Sequence, residues 1–252
     1  MNIRQMEILE LARAAGRVGV EDLAGRFDVT LQTIRRDLGE LAGQGMLDRV
    51  HGGAVMRPGV SNIGYQDRRR MNQDAKAAIA RACAAEIPDN SSVMLNLGTT
   101  TEAVARELLN HRNLTVITNN MNVANILVAN ESCEIMVAGG ALRRLDGGLV
   151  GDLTTEFMAQ FKPDFAIIGT SALDADGELL DFDLAEIRVS RAIASLARRT
   201  FLVTDISKMA RSAPMRITSL ARLDSVFVDQ PLPDELMRKC AEWGTRVIVA
   251  NS

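Results

Sequence analysis

A glycine and three threonines stand directly after a short apolar segment near the middle of the chain. The segment is residues 93–97, and Gly98, Thr99, Thr100 and Thr101 follow it at the start of a helical pattern. Glycine lets a backbone approach an anion, a helix N-terminus attracts negative charge, and hydroxyl groups add hydrogen-bond donors. This order of residues is typical of a phosphate-binding loop, and it is equally typical of a simple helix cap.

Other polar residues follow further short apolar runs. Asn119 and Asn120 come after one run, and Gly139 and Gly140 come after the next. Each pair alone is typical of a turn or a cap. If the runs are strands of one sheet, however, the clusters meet in one cleft, with cations for an anion and carboxylates for hydroxyl groups. The remaining candidates for this cleft are Arg143, Asp181, Asp183, Glu186 and Lys208.

The elements that must position these residues alternate regularly from residue 93 onward. Short apolar runs, typical of strands buried on both faces, alternate with amphipathic stretches typical of helices. We therefore predict a mostly parallel, Rossmann-like α/β sheet domain, which would bind ligands at the carboxyl ends of its strands. The predicted strands are 93–97, 114–118, 134–137, 165–169, 201–204, 225–229 and 246–249, and the predicted helices are 102–109, 121–129, 153–161, 184–198 and 234–242.

The first sixty residues have the pattern of a winged helix-turn-helix. A third helix begins after Thr30, and its apolar residues at positions 34, 38 and 41 fall on one inward face. Polar and arginine residues in the first turns of that helix then point outward, where a recognition helix contacts base edges. Two short apolar stretches around Gly52-Gly53 predict a hairpin, the wing. The predicted DNA-contacting residues are Thr30, Gln32, Thr33, Arg35 and Arg36 on the helix, and Arg49 and His51 on the wing.

A turn-rich segment after the wing indicates a domain boundary. We predict a DNA-binding domain at 1–57, a linker at 58–71 and an effector-binding and oligomerisation domain at 72–252. The arginine run at 68–70 is most typical of a solvated surface, although it has the charge to contact DNA phosphates or acidic residues.

Composition sets limits on function. The net charge is −3, and residues 1–57 hold eight arginines against eight acidic residues, so a DNA-binding role depends on placement rather than on total charge. No apolar run approaches the ~18 residues of a membrane span, and residues 1–5 lack a secretory pattern. We expect a cytoplasmic protein without a membrane partner. The three cysteines are widely spaced, so we predict neither disulfides nor a zinc site, and no cofactor.

Two blocks of the N-terminal region, TLQTIRRDL at 30–38 and LDRVHGGA at 47–54, closely resemble the signature of the DeoR family of regulators. The resemblance continues through 116–125, 146–151, 160–165 and 180–188 to about residue 229. It implies a repressor, a homo-oligomer (dimer or tetramer) that leaves its operator DNA when a small phosphorylated effector binds. It also implies that the C-terminal domain resembles sugar-phosphate isomerases in fold. The longer blocks resemble the members that respond to glycerol-3-phosphate, which makes this compound the expected effector, and a repressor that responds to a different sugar phosphate is the alternative within the family.

Two alternatives remain open at this stage. The first is an isomerase, which needs a carboxylate base near the phosphate. The position that the resemblance assigns to that base is Ser190, which cannot accept the proton, and Glu186 lies one turn earlier. The second is a DNA-binding protein whose sheet domain only mediates assembly. We expect a sensor rather than an enzyme.

Overall fold

The computed structural model describes residues 3–15, 17–43, 47–50, 52–56 and 63–250. Contacts divide the chain into two compact units, which we call unit 1 (Met1–Ser61) and unit 2 (Asn62–Ser252). Nowhere in the described ranges is a helix both long enough and apolar enough to cross a membrane.

Unit 1 has the predicted helix-turn-helix and wing. Ile34, Leu38 and Leu41 are buried on the third helix as their spacing predicts, and they pack against residues of the other two helices. The two wing strands pair antiparallel, and a short strand before the second helix, which the sequence analysis did not predict, joins them in a three-stranded sheet. The elements are α1 (Ile3–Ala15), β1 (Arg17–Gly19), α2 (Val20–Phe27), α3 (Leu31–Gly43), β2 (Leu47–Val50) and β3 (Gly53–Met56).

The orientation of α3 depends on two polar contacts. The backbone N–H of Thr33 donates to the Thr30 hydroxyl at 3.2 Å, so Thr30 caps the helix. The carboxylate of Asp37 is fully buried and accepts from Arg4 Nε of α1 at 2.6 Å. Gly39 stays unexplained, because an added Cβ there would meet only Arg49 Nη1, at 3.9 Å.

Unit 2 contains a seven-stranded parallel sheet, whose strands lie side by side in the order 246–249, 225–228, 199–203, 165–168, 92–95, 115–118 and 134–137. Each of these strands lies within one residue or two of a predicted strand. The elements are α4 (Tyr65–Arg70), α5 (Gln73–Ala84), β4 (Ser92–Leu95), α6 (Thr99–Glu107), β5 (Thr115–Thr118), α7 (Met121–Leu127), β6 (Glu134–Val137), β7 (Ala141–Arg143), β8 (Gly148–Val150), α8 (Asp152–Met158), β9 (Phe165–Ile168), β10 (Ala172–Leu173), β11 (Glu178–Asp181), α9 (Leu184–Leu196), β12 (Arg199–Val203), β13 (Met215–Ser219), β14 (Ser225–Val228), α10 (Asp234–Trp243) and β15 (Arg246–Val249).

The parallel strands are apolar on both faces because both faces are covered. Alternate residues of one strand, such as Val93 and Met94, enter two separate hydrophobic clusters, one on each side of the sheet. The predicted fold class, a winged helix-turn-helix plus a mostly parallel α/β sheet domain, is confirmed.

Three features of unit 2 were not predicted. β7 and β8 form a hairpin, and β10, β11 and β13 form a small antiparallel sheet. Residues 65–70, placed in the linker by the sequence analysis, form the helix α4. The Tyr65 hydroxyl of this helix donates to the buried carboxylate of Glu102 on α6 at 3.0 Å, so α4 packs on unit 2.

Candidate functional site

A cavity opens where the parallel sheet reverses its strand order. On one side of β4 lie β5 and β6, and on its other side lie β9, β12, β14 and β15. Ligands of open α/β sheets bind at the carboxyl ends of the strands at such a point. The space between its walls is about 390 Å³, a volume that includes the part open to solvent. The walls contain six of the predicted residues, Gly98, Thr99, Thr100, Asp181, Glu186 and Lys208, and also Arg68.

The first wall is the turn between β4 and α6. Gly98 has φ +142°, a conformation that disfavours any residue with a Cβ, and it directly precedes the helix. The Thr101 hydroxyl is buried and donates to the carbonyls of Asn96 and Gly98 at 2.9 and 2.7 Å, which fixes the turn. Thr99 and Thr100 line the cavity. The first-turn N–H groups of α6 have no acceptors within the helix itself, so this wall offers donors to an anion.

The second wall carries positive charge. Lys208 lies in a 3₁₀ helix (Ile206–Ala210) that follows β12, and it is almost fully buried. Burial is the main reason that the pKa of Lys208 is lowered to about 7; the nearby Arg211 adds to this effect and Asp205 opposes it. Lys76 is not among the residues that line the cavity, but burial lowers its pKa as well, to about 8. An anionic ligand bound nearby would stabilise the protonated forms of these lysines and raise their pKa values.

The third wall carries carboxylates that are held in place. Arg143 bonds to Asp146 at 2.6 Å, to Asp183 at 2.8 Å and to Glu186 at 2.5 Å. Asp183 also caps α9 by accepting from the Ala185 N–H at 2.8 Å. The guanidinium of Arg143 is thus occupied by carboxylates, and it positions Glu186 at the cavity.

The surroundings of Glu186 disfavour its ionised form. Burial and the neighbouring charge of Asp181 raise the pKa of Glu186 to about 7, although Arg143 opposes this. Asp181 accepts from the Ser171 hydroxyl at 3.0 Å and from the Phe182 N–H at 2.6 Å. Carboxylates fixed in this way accept hydrogen bonds from hydroxyl groups of a ligand.

Seven predicted residues are not among those that line the cavity: Thr101, Arg143 and Asp183, whose contacts are given above, and Asn119, Asn120, Gly139 and Gly140. Asn119 is buried and donates to the Leu149 carbonyl at 3.1 Å, and Asn120 caps α7 by accepting from the Asn122 N–H at 2.9 Å. Gly139 accepts from the Thr154 hydroxyl through its carbonyl, at 2.6 Å. Gly140 has φ +133°, and a Cβ there would lie 2.1 Å from that hydroxyl oxygen. These four residues stabilise the loops after β5 and β6 and do not line the cavity.

Arg68 reaches the cavity although the sequence analysis did not name it as a candidate. Its side chain is only 18% exposed. One signal was available, since Tyr65 and Arg68 are three residues apart and share one face of a helix. Because Tyr65 is buried, Arg68 points toward the interior of unit 2. Its neighbours Arg69 and Arg70 are exposed.

In unit 1, the predicted DNA-contacting residues cluster at the start of α3. Gln32, Arg35 and Arg36 are exposed, Thr33 is half-buried, and Arg49 is exposed on β2. Arg36 makes a long, exposed ion pair with Glu40 at 3.8 Å. His51 lies outside the described residues. The start of α3 therefore presents arginine and amide groups that are available to a ligand of unit 1.

The fold agrees with the two domain families that match this sequence. The DeoR-like helix-turn-helix domain matches residues 4–58, and the DeoR C terminal sensor domain matches residues 71–230. The protein belongs to the DeoR family of transcriptional regulators.

Individual relatives are similar over almost their whole length. The glycerol-3-phosphate regulon repressor of Escherichia coli K12 is 45% identical over 235 residues, which cover 93% of each protein. The glycerol-3-phosphate regulon repressor of Haemophilus influenzae is 41% identical over 250 residues, covering 99% of this chain and 97% of that protein. The HTH-type transcriptional repressor CsqR of E. coli K12 is 37% identical over 248 residues, covering 98% and 95%.

A solved structure similar to this chain is ribose 5-phosphate isomerase A from Methanocaldococcus jannaschii. It has a TM-score of 0.41 and 15% sequence identity, and the match covers 55% of each chain.

Proposed function

We propose that this protein is a cytoplasmic repressor of genes for glycerol-3-phosphate metabolism, released from operator DNA by a small phosphorylated effector, glycerol-3-phosphate. The observation that carries the proposal is the cavity at the strand-order reversal. It combines a glycine turn and helix N-terminus, buried cations, and fixed carboxylates, which are the groups that a phosphate and its hydroxyl-bearing carbon chain require. The names of the relatives at 41–45% identity support the same assignment.

In this proposal the effector spans the cavity. The phosphate binds to the turn at Gly98, Thr99 and Thr100 and to Lys208, and the glycerol hydroxyls donate to Asp181 and Glu186. Arg143 and Asp183 position Glu186 through the contacts described above. Thr101, Asn119, Asn120, Gly139 and Gly140 support the loops without contacting the effector.

Unit 1 supplies the DNA contacts in this proposal. Gln32, Thr33, Arg35 and Arg36 read base edges in the major groove, Thr30 caps the helix that carries them, and Arg49 and His51 contact phosphates from the wing. A homo-oligomer places two recognition helices on half-sites ~34 Å apart, or a multiple of it. A hundredfold loss of operator affinity requires ~2.7 kcal/mol of coupling to effector binding.

The experiment that tests this function is an operator-binding titration with the full-length protein. The operator is first recovered by selecting genomic DNA fragments on the protein. We expect millimolar glycerol-3-phosphate to release the operator in a fluorescence anisotropy assay and to raise the melting temperature, because a ligand that binds the folded protein stabilises it. Glycerol should do neither. A different phosphate ester that acts at a tenfold lower concentration would replace glycerol-3-phosphate as the effector.

A sugar-phosphate isomerase is the second candidate, and Glu186 is the observation that favours it. A carboxylate with a pKa near 7 beside a phosphate site is suited to general base catalysis. Ser190, by contrast, is buried and accepts from Asn96 Nδ2 at 2.8 Å, away from the cavity walls. Incubating the protein with aldose phosphates and following them by NMR distinguishes the candidates. Conversion at enzymatic rates would favour the isomerase, whereas unchanged sugars together with effector-dependent release of DNA would favour the repressor.

Arg35→Ala should weaken operator binding by about 1–3 kcal/mol, roughly 5- to 150-fold, without changing effector affinity. The reason is that the exposed guanidinium at the start of α3 is lost, while unit 2 is untouched. Operator affinity is measured by anisotropy and effector affinity by calorimetry. Arg222→Ala, an exposed arginine of unit 2, is the control for the change in net charge. A parallel fall of both affinities in a folded Arg35→Ala protein would contradict the division of roles between the units.

A further inference from the structure

The Arg68 side chain is a largely buried cation whose hydrogen-bonding capacity is not fully used. It lines the cavity together with Gly98, Thr99 and Lys208. Its Nε is buried and has no hydrogen-bond acceptor among the described residues. The carboxylate of Asp146 lies 4.0 Å from Arg68 Nη2, but that carboxylate already receives two hydrogen bonds from Arg143, at 2.6 and 2.9 Å. A buried polar group in this condition is costly unless a ligand satisfies it.

The charge around Arg68 points to the same kind of ligand. The positive charge of Arg68 contributes to lowering the pKa values of Lys208, Lys76 and Arg211, after burial itself. Asp205 opposes this effect at each of the three. These side chains repel one another across a small space, and a phosphate dianion would convert the repulsion into attraction.

Arg68 lines the cavity and also lies close in sequence to the boundary between the units. It lies on α4, which begins three residues after unit 2 starts at Asn62. Lys76 Nζ of α5 donates to the carbonyls of Arg68 and Met71, so it holds the end of α4. At the junction of the two helices, Asn72 Nδ2 donates to Asp205 at 3.0 Å. Asp205 in turn is the residue just before the 3₁₀ helix that carries Lys208.

The opposite end of α4 is held by a separate set of bonds outside the cavity. The Tyr65 hydroxyl donates to Glu102 at 3.0 Å and accepts from Asn122 Nδ2 at 3.0 Å. Glu102 belongs to α6, whose first turn forms the glycine–threonine wall. The start of α4 therefore bonds to α6, and the junction after its end bonds through Asn72 to Asp205, next to the 3₁₀ helix that carries Lys208.

We propose that Arg68 is a direct ligand of the effector phosphate, and that α4 transmits the occupancy of the cavity to the chain leading into unit 1. This inference rests on the proposed function. The phosphate supplies the acceptor that Arg68 lacks, and binding thereby fixes the position and tilt of the first helix after the unit boundary. Arg68 makes the contact, and Tyr65 is a positioning residue that keeps α4 attached to α6.

Two variants of the full-length protein test the two parts separately, with glycerol-3-phosphate and inorganic phosphate as probes. Arg68→Ala should lose affinity for both probes by about thirtyfold or more in calorimetry, because a buried charge-assisted contact is removed. Arg68→Lys should recover part of the loss. Arg70→Ala, an exposed arginine on the same helix, is the matched control and should bind as the wild type does.

Tyr65→Phe should retain effector affinity within about twofold, since Tyr65 does not line the cavity. In the same variant, the effector should no longer cause most of the drop in operator affinity that it causes in the wild type. Melting curves confirm that the variants are folded. Wild-type affinity for both probes in folded Arg68→Ala would overturn the ligand role, and wild-type release of the operator in folded Tyr65→Phe would overturn transmission through α4. If the wild-type protein itself fails to bind any phosphate ester, the proposed function fails instead, so the two failures are distinguishable.

Discussion

Lys208→Met should lose affinity for glycerol-3-phosphate by at least about a hundredfold, while the effector-free protein melts at the same temperature or higher. The loss follows because a buried ammonium group beside the helix N-terminus of α6 provides a charge-assisted contact to the phosphate. The gain in stability follows because the buried ammonium is costly without the ligand, as its pKa near 7 indicates. A methionine fills nearly the same space without the charge.

Calorimetry measures the predicted loss of affinity, and melting curves measure the predicted change in melting temperature. Lys162→Met is the control, since Lys162 is exposed and lies outside the cavity. Asp205 keeps its contacts with Asn72 and Ser207 in the Lys208 variant, so it is not left without hydrogen bonds. If Lys208→Met bound glycerol-3-phosphate within threefold of the wild type, the phosphate position in the cavity would be wrong.

The affinity for glycerol-3-phosphate should fall as the pH rises, by roughly 50-fold between pH 7 and pH 9. In the free protein, Lys208 has a pKa of about 7 and loses its proton through this range. The phosphate is already a dianion there, with a second pKa near 6, and its binding raises the pKa of Lys208. Binding therefore takes up a proton, and proton uptake becomes harder as the pH rises. Lys76, with a pKa of about 8, adds to the effect with the same sign.

Calorimetric titrations in two buffers of different ionisation enthalpy measure the proton uptake directly. At pH 8.5 we expect an uptake of about one to two protons per site, of which Lys208 takes up nearly one and Lys76 takes up the rest. Lys208→Arg should weaken this pH dependence, because a guanidinium does not titrate in the range. An affinity that rises with pH, or binding without proton uptake, would show that Lys208 is not the titrating contact of the phosphate.

The fold was largely predictable because its main signals are local. Phe165–Ile168 and residues 226–228 of β14 are buried on both faces, so each appears as an uninterrupted apolar run. The small sheet was not predictable in the same way. β10 has two residues, and the pairing of β11 with β13 contains an irregular register at Leu179/Leu180. Such pairings depend on contacts distant in the sequence, which a local pattern does not carry.

The candidate site was predictable only in part, because the strand-end turns at residues 98 and 208 line the cavity, whereas the turns at 119 and 139 do not. The rule that strand ends carry ligands led to the turns at residues 98, 119, 139 and 208. It does not specify which side chain points into the cavity, and so it treated Asn120, which caps a helix, in the same way as Thr99, which lines the wall. Arg68 was omitted for a related reason. An arginine run has the composition of a solvated surface, and only the packing of α4 against α6 turns one member of the run inward.

The pairing of β4 with β9 has a consequence for how the chain acquires its structure. Ser92 and Asp164, which bond at the start of this strand pair, are 72 residues apart in the sequence, whereas the wing strands of unit 1 are joined by a tight hairpin. Distant pairings form slowly because a long loop must close first, and N-terminal regions leave the ribosome earliest. During synthesis, the unit that we propose to bind DNA is therefore complete before the central strand pair that frames the cavity has formed.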